Sequence, residues 1–185
     1  MKKTLLAVML LLSLTNVKSY AQQEFGNTLN LGAGIGYGGA FILHGNYEFQ
    51  VAKSFTIAPF VTFISYSNNP YYSNLYYHEI IIPIGAKGSY YFDDLLDLNT
   101  NWDLYAAASI GFAIRNVTYD NGYVGDKNSY LYSSPLFLDL HVGAEYHISS
   151  KIGAFLDLST GISTIGIAIH GTGHHGGHHT DATQK

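Results

Sequence analysis

LFLDLHVGAEYHI, residues 136–148, has two faces of opposite chemistry when laid out as a strand. Strand side chains alternate, so Leu136, Leu138, Leu140, Val142, Ala144, Tyr146 and Ile148 fall on one side. Phe137, Asp139, His141, Gly143, Glu145 and His147 fall on the other. Thirteen residues exceed the usual soluble strand and suit a tilted crossing of a bilayer. One face is continuously apolar and the other carries charges that cannot meet lipid, the pattern of a membrane barrel with a polar interior.

The same alternation extends in both directions and predicts eight strands: 28–37, 41–52, 55–66, 76–92, 102–116, 136–148, 151–160 and 164–170. The first sets Leu29, Leu31, Ala33, Ile35 and Tyr37 against Asn30, Gly32, Gly34 and Gly36. Its GxG is not a phosphate loop, because no helical pattern follows; alternating glycines instead leave room inside a narrow barrel. Between strands, 53–54, 93–101 and 149–150 are short turns on one side, while 67–75 and 117–134 are long loops on the other. Short periplasmic turns and long outer loops are the outer-membrane rule, and an even strand count puts both mature termini in the periplasm. Pro59 and Pro83 fall inside strands and are expected at bulges, since a closed barrel has no edge to absorb a missing donor.

Composition separates this reading from a soluble eight-stranded barrel, whose oily face would point inward. Charged residues are 12% of the chain, about half the usual share, and too few to coat the outside of a soluble barrel. Aromatics reach 15%, as interfacial girdles would require. The fold class expected is therefore all-β: an eight-stranded antiparallel up-and-down transmembrane β-barrel preceded by a cleaved signal peptide. Lys2 and Lys3 followed by the apolar run Leu5–Leu14 and by Ser19-Tyr20-Ala21 form that signal, with cleavage before Gln22. The organisation is then a signal peptide 1–21, a periplasmic lead-in 22–27, a barrel 28–170 and a flexible His-rich tail 171–185. Loss of Lys2, Lys3 and Lys18 leaves six basic residues against thirteen acidic ones, which argues against nucleic acid as a partner. Cysteine is absent from the sequence, so neither disulfides nor a lipoprotein anchor can form.

The stretches NLGAGIGYG (30–38), IIIPIGAKGSYYF (80–92), WDLYAAASIGFAI (102–114) and FLDLHVGAEYHISSKIGAFLDLSTGIS (137–163) resemble the small outer-membrane β-barrel family of the OmpA/OmpX type. The resemblance spans essentially all of residues 28–170. It implies a monomer in outer-membrane lipid, inserted by the barrel assembly machinery. Family members commonly end on a terminal aromatic; this chain instead runs past Ile169-His170 into GTGHHGGHHTDATQK.

Three constellations are candidates for chemistry. Glu48, Glu79, Lys87, Arg115, Asp139, Glu145 and Asp157, with His44, His141 and His147, all fall on inward faces. Unpaired charge there is costly, so Lys87 and Arg115 are expected to contact carboxylates. Such a polar network reads either as a plug holding the barrel together or as a gate or narrow path for ions and small solutes. Second, His174, His175, His178 and His179 lie among glycines in the tail. Imidazole suits Zn, Ni and Cu, and weak binding of these without an ordered scaffold stands beside a tail that binds nothing. No other cofactor is expected. Third, His78 with Ser73 nearby is the sole assemblable catalytic pair, and an interfacial histidine explains His78 as well, so the chain is read as non-enzymatic. Asp93, Asp94 and Asp97 lack EF-hand spacing and read as a solvated turn. The loops are rich in tyrosine (Tyr71, Tyr72, Tyr119, Tyr123, Tyr130, Tyr132), which suits contact with an extracellular ligand or surface partner.

Overall fold

A computed structural model of the chain describes residues 27–68, 77–96, 101–119, 121, 123 and 135–171. Eight antiparallel strands close on themselves in sequence order: β1 (Asn27–Gly36), β2 (Phe41–Ala52), β3 (Phe55–Asn68), β4 (Tyr77–Tyr91), β5 (Trp102–Tyr119), β6 (Leu136–His147), β7 (Ile152–Ser159) and β8 (Ile162–His170). Closure runs from Thr28↔His170 to Gly36↔Ile162 between β1 and β8, so every strand has two neighbours and no edge remains. The last strand therefore starts two residues before the expected 164 and is paired throughout. β5 runs three residues past the expected 116, into what reads as loop from its composition. One helical turn, α1 (Asp93–Leu96), stands where a solvated acidic turn was expected. There the Asp93 carboxylate accepts the backbone N–H of Leu104 at 3.1 Å, tying the turn to β5. Gly38 and Gly39 carry φ of 72° and 82° in the turn between β1 and β2, values that favour glycine.

The prolines are not at bulges. The β3–β4 register passes through Pro59↔Ala86, and the β2–β3 register is the same on both sides of Pro59, from Asn46↔Phe60 to Phe49↔Ile57. The ladder skips the two pairs between them without inserting a residue. Pro83 behaves likewise: it pairs with Ala113 on β5, while the β3–β4 ladder skips from Val61↔Ile84 to Ile64↔Ile81 at constant register. Each proline turns its donor-less nitrogen to one neighbour only, so one gap in one ladder suffices and no kink is needed. The single register shift on β2 lies between Gln50 and Ala52, beside the tight turn.

Alternation decides what each face meets. Leu138, Leu140 and Val142 are 60–64% exposed; Asp139 and His141, between them in sequence, are buried. The outside is a continuous apolar belt from all eight strands, including Ile35, Phe41, Ile57, Ile84, Ile110, Leu156 and Ile165. Toward the short-turn end it carries aromatic pairs: Trp102 with Tyr146 at 5.0 Å between ring centroids, Tyr90 with Phe92 at 5.2 Å and Tyr47 with Phe49 at 4.8 Å. Inward glycines yield their space to large neighbours. A Cβ on Gly32 would lie 2.9 Å from the Phe155 ring, and one on Gly143 would lie 2.1 Å from Tyr105.

Candidate functional site: an ionic interior

The inward polar residues assemble at successive heights along the barrel. Midway, Asp157 on β7 accepts from Lys87 Nζ on β4 at 2.6 Å and from the Tyr105 hydroxyl on β5 at 2.8 Å through Oδ2. Its Oδ1 lies 2.7 Å from His141 Nδ1, and the far nitrogen of that ring meets Ser109 at 2.9 Å. Lys87 also sits 4.7 Å from the centre of the Tyr105 ring, an arrangement favourable to the cation. The Lys87 and Asp157 side chains are 7% and 6% exposed, so water does little for either charge.

A second group centres on Glu48. Thr56 and Tyr91 (2.8 Å) donate to its Oε1, and Asn30 donates to its Oε2 at 3.1 Å. Asn30 also donates to Asn46 at 3.0 Å, and Asn46 leads through His44 to Thr62. Asp139 does something more local. Its oxygens accept from Ser159 at 2.8 Å, Thr160 at 2.5 Å and the Gly161 N–H at 3.0 Å, pinning the hairpin that joins β7 to β8.

At the long-loop end Arg115 donates to Glu79 at 3.0 Å, with the Arg115 side chain 35% exposed and Glu79 buried. Arg115 is thus a rim contact and not a sealed charge. At the opposite end Glu145 and His147 meet His170 and Asp103: His170 Nε2 is 2.7 Å from Glu145, and His147 Nε2 is 2.7 Å from Asp103. Every inward charge named from the sequence has a hydrogen-bonding partner.

Residues outside the polar network named from the sequence complete these groups: Tyr91, Tyr105, Asp103, Thr56 and His170. Strand parity puts all five inward, which was the available signal. Histidine and tyrosine take up the surplus of carboxylates over Lys and Arg. Phe60 and Phe137 form an apolar layer on the long-loop side of Lys87, their rings 5.8 Å apart although β3 and β6 are not neighbours. Two cavities of about 10 Å³ each lie in the interior, one bounded by Glu48, Lys87 and Tyr105 and the other by Phe60, Phe137 and Ile162. Each is roughly the space one water needs. His78 bonds Ser67 at 2.7 Å in an exposed position. Ser73, the signal segment 1–21, loop tyrosines 71, 72, 130 and 132, and tail histidines 174, 175, 178 and 179 lie outside the described residues.

A belt of exposed leucine, isoleucine and phenylalanine around a buried ionic core, with no free strand edge, defines a transmembrane β-barrel. Among the described residues no helix is long and apolar enough to cross a membrane. No protein-family profile matches the chain, and no curated protein matches it. Solved structures do. A de novo designed transmembrane β-barrel is similar at TM-score 0.51 and 12% identity, covering 80% of this chain and 98% of the design. Neisserial surface protein A is similar at TM-score 0.50 and 13% identity, covering 78% of this chain and 94% of that one. The N-terminal barrel domain of Pseudomonas aeruginosa OprF matches at TM-score 0.48 and 11% identity over 79% and 97%. At such identities the likeness is one of architecture: the fold is that of the small eight-stranded transmembrane barrels.

Proposed function

We propose that this protein is a non-enzymatic barrel of the bacterial outer membrane, exported by a cleaved signal peptide, with both mature termini in the periplasm and a lumen that does not conduct. Its work is then done at its surfaces: stabilising the envelope through lipid contact, and meeting an external ligand or partner through the segments read from the sequence as loops, 67–75 and 117–134. The observation that carries this reading is the Lys87–Asp157–His141–Tyr105 group roofed by the Phe60–Phe137 contact. A solvated ion would have to break charge-assisted hydrogen bonds and then push a pair of packed rings aside. Interaction at the outer end is supported by an aromatic cluster where β3, β4 and β5 emerge. Tyr77 stands 5.9 Å from Tyr66 and 6.5 Å from both Tyr119 and Tyr123 between ring centroids. Such rings supply contact area at small entropic cost.

Planar-bilayer recording tests the closed lumen, with heat-dependent gel mobility confirming that the inserted protein is folded. The folded protein is expected to be silent. Lys87→Met, and Phe60→Ala with Phe137→Ala, should each stay silent because each leaves the other barrier in place, whereas the three changes together should admit a leak. Steady conductance by the unaltered chain would overturn the reading in favour of a narrow pore.

A further inference from the structure

We infer that Glu145, His147 and His170 form a first-row divalent metal site, of the kind zinc occupies, at the short-turn mouth of the barrel. The three residues come from β6 and β8, the two strands that flank β7, and all three face inward. One donor atom from each lies within 4.8 Å of the others. His170 Nε2 is 2.7 Å from Glu145 Oε1, and His147 Nδ1 is 3.8 Å from the same oxygen. Tetrahedral zinc with bonds of about 2.0–2.1 Å sets its donors about 3.3 Å apart. These two separations bracket that value, and the two histidine nitrogens, within 4.8 Å of one another, would have to close by up to about 1.5 Å around the ion.

The outer contacts of these histidines give the second argument. His147 turns its other nitrogen, Nε2, to the Asp103 carboxylate at 2.7 Å. His170 turns its other nitrogen, Nδ1, to the Thr28 hydroxyl at 3.0 Å. Both rings are therefore held at the back, with the remaining nitrogens aimed at one carboxylate. That is how metal-ligating histidines are fixed in tautomer and orientation. A surface ion pair has no need of it. Gly153, opposite His147 on β7, completes the arrangement, since a Cβ there would lie 1.9 Å from Glu145 Oε1. The missing side chain is what admits the carboxylate.

Two neutral imidazoles and one carboxylate form a donor set used by zinc, with a fourth position left for water from the mouth. Ligation through His170 Nε2 requires that nitrogen to carry no proton, so the neutral ring holds its proton on Nδ1, toward the Thr28 hydroxyl. Asp103 is a positioning residue that touches no metal. The site is distinct from the tail histidines 174, 175, 178 and 179, which follow it in the chain.

The test uses the full-length chain, refolded in micelles, with His174, His175, His178 and His179 changed to Ala so that the tail does not compete. Calorimetric titration with Zn²⁺ is expected to give one equivalent bound, and Co²⁺ in its place should give visible absorption characteristic of a low-symmetry four-coordinate ion. Glu145→Gln keeps the side chain's shape and should weaken Zn²⁺ binding by on the order of 100-fold; Asp103→Asn should weaken it by about 10–100-fold. Both variants are checked for folding by heat-dependent gel mobility, and His147→Ala adds a third arm. Loss of all Zn²⁺ binding on silencing the tail would overturn the site and give the metal to the tail. Binding that survives in Glu145→Gln and Asp103→Asn at unchanged affinity would overturn it too.

Discussion

Removing either partner of the Lys87–Asp157 pair should destabilise the barrel, and by unequal amounts. Lys87→Met leaves the Asp157 carboxylate with the Tyr105 hydroxyl at 2.8 Å and His141 at 2.7 Å, so the anion keeps two partners. Breaking a buried pair costs about 3–5 kcal/mol, and this variant belongs at about 3. Asp157→Leu is worse. It strips Tyr105, His141 and Lys87 of one shared acceptor and leaves the ammonium only the Tyr105 ring, placing the cost at about 5 kcal/mol or above. The double variant removes the stranded cation but still orphans the tyrosine and histidine donors, so it should be more stable than Asp157→Leu alone by about 1–3 kcal/mol. Equilibrium urea unfolding in micelles reads all four proteins. Trp102, the chain's one tryptophan, sits half-exposed in the outer belt, remote from the mutated layer, and reports by fluorescence. Additive single costs, or a Lys87→Met protein within about 1 kcal/mol of the parent, would refute the claim that a desolvated pair organises the interior.

Three further outcomes are expected. Ile110→Arg places a charge on the exposed apolar face near mid-strand, 58% exposed, and should cost about 2–4 kcal/mol of folding free energy in lipid vesicles; an unchanged urea midpoint would mean that this face does not meet lipid. Gly143→Ala puts a methyl 2.1 Å from Tyr105 and must push its hydroxyl off Asp157, lowering stability by about 1–3 kcal/mol in the same assay. Pro59→Ala restores a backbone donor facing β2 and should raise stability by about 0.5–1.5 kcal/mol; a loss would place the skipped β2–β3 pairs elsewhere than at the missing N–H.

Much of the architecture was legible because a period of two is a strong signal over long strands. The inward and outward sets of LFLDLHVGAEYHI stand as alternation assigns them, and the scarcity of charge told which face meets lipid. What alternation leaves open is height. Lys87 and Asp157 are 70 residues apart and lie on β4 and β7, strands that are not paired neighbours; only the stagger of the closed barrel brings them level. The same stagger lifts Arg115 to the rim and lowers Glu145 and His147 to the opposite mouth. Pairing partners were therefore hidden although facing was plain. The prolines misled for a related reason. A proline inside a strand suggests a bulge only when both neighbours need its donor, and in an antiparallel strand each residue's N–H serves one neighbour alone.

The stacking of these groups has a consequence for how the two ends of the molecule communicate. Phe60 lies two residues to the long-loop side of Ala58, the register partner of Lys87, and Phe137 lies four residues to the same side of His141. The apolar layer thus sits between the Lys87–Asp157 group and the outer mouth with its Arg115–Glu79 pair and tyrosines. Below Lys87, the Glu48 and Glu145 groups open toward the short turns. A charge introduced at the tyrosine cluster is separated from the Glu145–His147–His170 mouth by most of the barrel's length and several hydrogen-bond sets. Each set is hydrogen-bonded within itself, so perturbing one does not require a proton or ion to move in the next. The ends should accordingly behave as independent surfaces: a ligand at the long loops leaves Zn²⁺ affinity at the other mouth unchanged, and coupling between them would require the Lys87–Asp157 layer to rearrange.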